Sequence, residues 1–590
     1  MREAVLVVEN LYKAYADKVL FEDLSFGISK GQKIAFVAKN GAGKSTLLNI
    51  ITKNDSPDSG DIVFRNDIRI GFLSQNPELP PDMSIKEYAL KDVNPLEDWE
   101  YETKIYEILS KLRVEDYNQP ISTLSGGEKK KLALSKVLAK EVDLMILDEP
   151  TNHLDVEMIE WLEDYLSRKS LSLFIVTHDR YFIDNVCNEI YELDNGQVYR
   201  YKGDYNYFIE RKAEREHNER IEIEKARDLY KKELEWMRRM PKARTTKSKA
   251  RIESFHDIKS VASKRIDQKS PEISIKSQRI GGKVLELHNI SKAYEDKTIL
   301  DNFSYTFKRG EKIGIVGGNG VGKTTLLNII SNKVKADMGK IIIGQTISMG
   351  YFTQEGIEEK PDTRVIDIIK DVAENIELDN NTQVSASQFL YYFGFSPELQ
   401  YNYYSNLSGG ERRRLYLLKT LMANPNFLIL DEPTNDLDIY TLAMLENFLK
   451  EYRGCLLIVS HDRSFMDNLV DHLFVFEGDG VVRDYHSTYS DYLLERKAEE
   501  IVEKPKEEKT ERVRTERKNK PTYKETREFE SLSEEIPELE KEKTEMANKL
   551  SSGELEDIEE LTQISERFAE IENILDEKEM RWLELSELFE

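Results

Sequence analysis

Short apolar runs rich in β-branched residues, KIAFV at Lys33 to Val37, LMILD at Leu144 to Asp148 and LFIV at Leu173 to Val176, alternate along the chain with stretches of helical periodicity. The runs are continuously apolar instead of alternating with polar residues, which predicts strands buried on both faces of a mainly parallel sheet. Helices between such strands must cover both faces, so the pattern predicts an α/β fold. The pattern then returns. Moved along itself by 279 positions, Leu11 to Gln75 matches Ile290 to Gln354 without a gap, and moved by 283, Leu124 to Asn185 matches Leu407 to Asn468. Two copies of one large domain share the chain, because a period of ~280 residues is far too long for a solenoid repeat.

Between the copies, ERKAEREHNERIEIEKARDLYKKELEWM mixes both charge signs at helical spacing without Gly or Pro and predicts a long solvated helix. After the second copy, Ile501 to Lys520 is too polar for a core and reads as a flexible tether. From Pro521 onward, Phe529, Leu532, Ile536, Leu539, Met546 and Leu550, with Lys543 filling the one polar core position, then Leu561, Ile564, Phe568, Ile571, Leu575, Trp582 and Leu585 follow 3-4 spacing on either side of Ser551-Ser552-Gly553. That spacing predicts an antiparallel coiled-coil hairpin. The expected domains are therefore 1–202 and 284–497 for the two copies, 203–283 for a charged helical linker, 498–520 for the tether and 521–590 for the hairpin.

Charge changes the picture in one place. The 590-residue chain has a formal net charge of −25, so any attraction to polyanions must be local. Trp236 to Ser270 holds 11 Lys/Arg against 3 Asp/Glu, a net of +8 inside an acidic protein. Arg238, Arg239, Lys242, Arg244, Lys247, Lys249 and Arg251 are placed to neutralise nucleic-acid phosphates, with Trp236 or Phe255 available to stack on bases. No apolar run approaches the ~20 residues needed to span a bilayer, and MREAVLVVEN lacks the pattern of a signal peptide. Two cysteines, Cys187 and Cys455, form neither a disulfide framework nor a zinc spacing, which fits a reducing cytoplasm.

The candidate chemistry sits at equivalent places in the two copies. Ala38-Lys39-Asn40-Gly41-Ala42-Gly43-Lys44-Ser45 and Gly317-Gly318-Asn319-Gly320-Val321-Gly322-Lys323-Thr324 each follow an apolar strand and open a helical pattern, continuing into Thr46 and Thr325. This is the context of a P-loop. Its glycines let backbone N–H groups curl around phosphate oxygens, Lys44 or Lys323 reaches the outer phosphates, and Ser45 or Thr324 binds Mg²⁺. Two further apolar strands end in adjacent carboxylates, Asp148-Glu149 and Asp431-Glu432. The first acid can hold Mg²⁺ and the second can orient or deprotonate the attacking water.

Beyond these NTPase features, LSGGE occurs at Leu124 to Glu128 and again at Leu407 to Glu411, and resembles the signature of ATP-binding cassette proteins. The resemblance implies roles position by position. Tyr15 and Tyr294 match the aromatic that stacks on adenine, Gln75 and Gln354 the glutamine that contacts Mg²⁺ and the lytic water, and His178 and His461 the switch histidine on the γ-phosphate. Asp155 and Asp438 match the loop that couples the two sites. Ser125, Gly126 and Gly127, and likewise Ser408, Gly409 and Gly410, are expected to face the ATP of the opposite cassette. The resemblance thus implies one ATP site built on Lys44, Glu149 and His178 with Ser408 and Gly410, and another on Lys323, Glu432 and His461 with Ser125 and Gly127.

Two cassettes in tandem, a charged helical linker and PTNHLD at Pro150 to Asp155 resemble the ABC-F family, cytosolic ATPases that act on ribosomes, and the tail opening PTYKE at Pro521 resembles its Uup-type branch. One departure stands out. Many members insert an arm between the glutamine loop and the signature of copy one, whereas Gln75 to Ser125 spans 50 positions here and Gln354 to Ser408 spans 54, so arm-mediated ribosome contacts are not expected. The resemblance implies an ATP- and Mg²⁺-dependent hydrolase acting on the ribosome, its linker touching tRNA or rRNA, and working as a monomer whose cassettes pair within one chain. The alternatives are an ATPase acting on branched DNA and, less well supported, the energy subunit of a transporter. The net charge of −15 over Pro521 to Glu590 opposes direct contact of the hairpin with DNA.

Overall fold

In the computed structural model, the described residues are 3–15, 18–91, 99–114, 116–152, 154–238, 249–263, 278–294, 297–354, 356, 359–377, 383–435 and 437–503, with three isolated positions beyond. Residues 1–499 form one compact unit and 500–590 a second. The expected hairpin over 521–590 and most of the tether lie outside the described residues.

Each copy is built on a six-stranded sheet. In copy one the spatial order is Ile70–Leu73, Leu144–Asp148, Ser172–Val176, Lys33–Ala38, Glu189–Asp194 and Gln197–Lys202, all parallel except the last strand. Copy two repeats the order with Met349–Phe352, Phe427–Asp431, Cys455–Val459, Lys312–Gly317, His472–Gly478 and Val481–Tyr485. A three-stranded antiparallel sheet accompanies each, Lys18–Ser29, Ala4–Tyr15 and Ser59–Phe64 in copy one. The runs KIAFV, LMILD and LFIV are strands, as their continuous apolar character predicts.

Successive side chains of a strand point to opposite faces, and the two faces of the copy-one sheet fill two different cores. Ala35, Val37, Leu147 and Ile175 pack against the helical side, while Ile34, Phe36, Ile146 and Phe174 pack toward the antiparallel sheet. A segment buried on both sides has no room for polar residues, which is why the sequence shows no alternation there. Copy two differs between the glutamine loop and the signature, where a small hairpin, Asn375–Glu377 with Gln383–Ser385, leads into a short helix, Ala386–Tyr392. Copy one has a helix, Trp99–Lys111, in that region.

Each core also takes in a buried residue from the other copy. Val156, which follows Asp155 in copy one, belongs to the copy-two core, and Ile439, which follows Asp438, belongs to the copy-one core. The two are equivalent under the shift of 283.

The linker forms a 34-residue helix, Tyr205–Arg238, and a second helix, Lys249–Ala262. They pack antiparallel, with Tyr230 stacked on Phe255 at 5.3 Å between ring centroids and the Arg227 guanidinium donating to the Ala262 carbonyl. Ile223 and Tyr230 on one helix, and Phe255 and Ala262 on the other, stand seven positions apart, with Ile223, Phe255 and Ala262 buried and Tyr230 half-buried. The expectation that Phe255 stacks on nucleic-acid bases therefore needs correction: its ring is 7% exposed and occupied by Tyr230. The side chains of Arg238, Lys249 and Arg251, and residues Arg239, Lys242, Arg244 and Lys247 altogether, lie outside what is described, as does the Trp236 side chain. Among the described residues no helix is long and apolar enough to cross a membrane.

Phe174 is fully buried, with Phe36 at 5.2 Å and Phe26 at 6.0 Å between ring centroids. Phe174→Ala is expected to cost about 3–5 kcal/mol, seen as a shift of the copy-one unfolding transition to lower denaturant.

Candidate active sites

The central strands deliver the P-loops. In copy one the chain leaves Lys33–Ala38, turns through Gly41 and Gly43 at φ of 73° and 101°, and enters the helix Lys44–Ile51. Gly322 repeats the turn at 111°. A Cβ at Gly43 would stand 2.8 Å from the Phe21 ring, and one at Gly322 would overlap Ile299, so both turns need glycine on backbone and steric grounds. Lys44 Nζ donates to the Ala38 carbonyl at 2.9 Å and the Asn40 side chain at 3.2 Å, and Lys323 Nζ to the Gly317 and Gly318 carbonyls at 2.7 and 3.2 Å. Burial lowers the pKa of both lysines, against the pull of nearby carboxylates. Asn319 and Gly320 are exposed at the copy-two loop.

The acidic strands bring their carboxylates to these loops. The Ser45 hydroxyl stands 3.5 Å from Asp148, and the Thr324 hydroxyl donates to Asp431 at 3.2 Å. A hydroxyl and a carboxylate meeting beside a P-loop are an oxygen-rich pair suited to Mg²⁺. Burial raises the Asp148 pKa to about 6, with Glu149 adding to the shift, and raises that of Asp431. The next residues, Glu149 and Glu432, have φ of 50° and 51°, and their N–H groups donate to Val176 and Val459 of the adjacent strands. This left-handed kink at a non-glycine residue is uncommon and ends each strand sharply.

The two glutamates differ in their electrostatics. Burial disfavours ionisation of Glu149, but His178 Nε2 at 3.0 Å and Lys44 outweigh it and hold its pKa below the usual carboxylate range. For Glu432 burial prevails and raises the pKa to about 8; His461 Nε2 stands at 3.4 Å, and burial together with Lys323 pushes its pKa down to about 3. Gln75 and Gln354 follow the strands that flank the acidic strands, Gln75 half-buried and Gln354 exposed. Tyr15 and Tyr294 are 51% and 47% exposed, each with a lysine ammonium 5.1 Å from its ring, and Tyr15 reaches Asp55 and Thr46. Exposed rings are free to stack; buried ones would not be.

The signature serines cap helices. Ser125 and Ser408 lie at the starts of Gly126–Ala139 and Gly409–Met422, each joined to the glutamate three positions on in a reciprocal capping box. Gly126 and Gly409 are exposed, and Gly127 and Gly410 half-buried, in the first turns.

The sites reach across the copies. Asp438 accepts from the Asn40 amide of the opposite P-loop at 2.9 Å, and Arg414 of the copy-two signature helix lies close enough to influence Lys44. On the other side Asp155 acts on Lys323 but pairs with Arg113 at 3.1 Å, and Arg113 also lies beside Gly318. Reciprocal ion pairs extend this junction. Arg180 meets Glu446 at 2.8 Å, and Arg463 meets Glu163, each pair joining one copy to the other. Sequence reading had passed over Arg180 and Arg463, although VTHDR and VSHDR repeat them and Glu163 and Glu446 obey the same shift. Arg113 had no such signal, since Gly394 stands at the matching left-handed turn in copy two.

The difference between the glutamates gives opposite expectations for the nucleotide-free protein. A carboxyl with a raised pKa favours the fold while protonated, and loses that contribution as pH rises from about 4.5 to about 8. One with a lowered pKa contributes above its unfolded value and loses the contribution as pH falls through the folded one. Glu432→Gln is expected to raise the melting temperature at pH 7.5, and Glu149→Gln to lower it, in thermal melts without nucleotide.

The chain is similar to known proteins over most of its length. The family model described as ABC transporter matches 21–152 and 300–435, another of the same description matches 191–275, and an ABC transporter C-terminal domain model matches 520–587. The chain is 40% identical to the uncharacterized ABC transporter ATP-binding protein YfmR of Bacillus subtilis over all of this chain and 99% of that one. It is 34% identical to the energy-dependent translational throttle protein EttA of Mycobacterium tuberculosis over 81% of this chain and 92% of that one. With the ATP-binding protein Uup of Buchnera aphidicola the identity is 35%, over 83% and 84%. Among solved structures, an archaeal ribosome recycling factor, aABCE1 in complex with the stalk protein aP1, shares the fold with a TM-score of 0.60 at 20% identity, over 82% of this chain and 92% of that one. The chain belongs to the ABC-F family of ATP-binding cassette ATPases.

Proposed function

We propose that the two cassettes close on two ATP molecules, that Mg-dependent hydrolysis reopens them, and that the cycle acts on the ribosome, with the basic linker touching tRNA or rRNA. One observation carries the reading: Asp438 of cassette two already accepts from the Asn40 amide in the P-loop of cassette one. An ATP at either P-loop would lie where the two halves meet, so its outer phosphate would bind both. Lys44 and Lys323 hold phosphate oxygens there, and the signature turns from Ser125 and Ser408 supply N–H groups from the opposite side. Ser45 with Asp148, and Thr324 with Asp431, would hold Mg²⁺, which screens charge on the phosphates. Glu149, kept ionised by His178 and Lys44, is ready to take a proton from water. Glu432 must first lose its own, but with its pKa raised to about 8 it is then the stronger base, so the two sites would approach proton transfer differently.

The ribosome as partner is supported by the relative named a translational throttle and by the local charge of +8 in the linker. Changing Glu149 and Glu432 together to Gln is expected to preserve ATP binding, abolish turnover and make the protein co-sediment with ribosomes in ATP. Turnover at the parent rate would remove these residues from the role. Co-sedimentation with branched DNA instead of ribosomes would favour the DNA alternative. Replacing Arg238, Arg239, Lys242 and Arg244 with Gln is expected to weaken ribosome binding and lower its salt slope by about one per lost phosphate contact, measured between 50 and 200 mM salt.

A further inference from the structure

Glu192 lies at the middle of the strand Glu189–Asp194 and is fully buried. A buried carboxylate needs partners that replace its lost hydration, and this one has four. Two come from the linker helix: Lys212 Nζ at 2.5 Å and Arg215 at 3.0 Å. A third, the Tyr201 hydroxyl at 3.0 Å, belongs to its own cassette. The fourth is the Tyr440 hydroxyl, which donates at 2.6 Å from the opposite cassette. Lys212 also lies over the Tyr440 ring, 3.6 Å from its centroid. Burial would favour the neutral acid, but Lys212, Tyr440 and Arg215 outweigh it and the group is held ionised.

Tyr440 is two positions from Asp438, whose carboxylate joins the Asn40 amide to the Tyr440 and Thr441 amides. A continuous path therefore runs from the P-loop of cassette one through Asp438 and Tyr440 to Glu192, and from there into the linker helix. The helix after cassette two offers a comparison. It starts as the linker helix does, with a first-turn amide on an aspartate, Ser490 on Asp467 as Tyr205 on Asp184, and ERKAE recurs in both. There Arg496 and Lys497 meet Glu157 and Glu160 of the opposite cassette directly. Glu192 has no counterpart, since the matching position is Val475. Among the described residues, the buried three-way junction occurs where the helix leads into the linker and not at the helix after cassette two.

We propose that Glu192 is a positioning residue that couples closure of the cassettes to the linker helix: with Tyr440 seated, the helix base is fixed, and when the cassettes part, Tyr440 leaves and the anchor of Lys212 loosens. The proposal rests on the closing cycle described above, and the experiment separates the two. In the full-length Glu149→Gln/Glu432→Gln protein with Cys187 and Cys455 replaced by Ser, spin labels at Asp61 and Lys340 report closure, and labels at Asp164 and Leu229 report the linker against cassette one. Distances are measured by electron–electron double resonance with and without Mg-ATP. The parent should shift both pairs on ATP addition. Tyr440→Phe, which keeps the ring and removes only the hydroxyl, should keep the closure shift while the linker pair loses its ATP-dependent narrowing; Lys212→Met should do the same. A linker pair that responds to ATP as in the parent in both variants overturns the coupling, as does loss of the closure shift in Tyr440→Phe, which would place Tyr440 in closure itself. Absence of the closure shift in the parent would instead overturn the clamp cycle.

Discussion

Val156 and Ile439 are the contact on which the rest of the arrangement depends. Each follows an aspartate, Asp155 or Asp438, that faces the other cassette's P-loop, and each is buried in the core of the opposite cassette. Burying one such side chain is worth about 1.5–3 kcal/mol, and the transfer is made twice under the same sequence shift. Once these residues are seated, Asp438 falls on the Asn40 amide, Asp155 faces Lys323, and the Arg180–Glu446 and Arg463–Glu163 pairs close around the junction. Replacing each ion pair by a single charge would leave a buried arginine or glutamate uncompensated, so these pairs fix register more than they add net stability.

Much of this was legible in the sequence because it was written twice. The P-loops, the acidic strand ends and LSGGE stand at fixed offsets in two copies, and the structure puts a P-loop hydroxyl and a strand-end carboxylate together in each. What the sequence hides is pairing over long separations. Glu192 and Tyr440 are 248 positions apart, occur once, and leave no periodicity. Phe255 shows the converse error. A lone aromatic in a basic stretch reads as a stacking group, but a seven-position seam in the paired helix claims it for packing. Local charge says where a polyanion is attracted, not which side chains are free to meet it.

The repeat also conceals a difference. Sequence gives both cassettes the same glutamate and histidine, yet the protein environment holds Glu149 ionised and pushes Glu432 up to about 8. The P-loop of cassette one carries the opposite aspartate directly, while in the other half Arg113 takes Asp155 for itself. The two sites thus share parts without sharing electrostatics, and Glu192, present in one half alone, adds to the same one-sidedness.

The exchanged residues have a consequence for how the protein is made. Synthesis delivers cassette one first, with Val156 waiting for a core that does not yet exist and its own core lacking Ile439. Until the second cassette emerges, a strip of apolar surface next to Asp155 is left bare, and bare apolar surface on a half-made chain invites aggregation. The long polar helix between the cassettes lengthens that interval, so the chain is most vulnerable during its own translation, and its two halves gain their full stability together when the last of cassette two is in place.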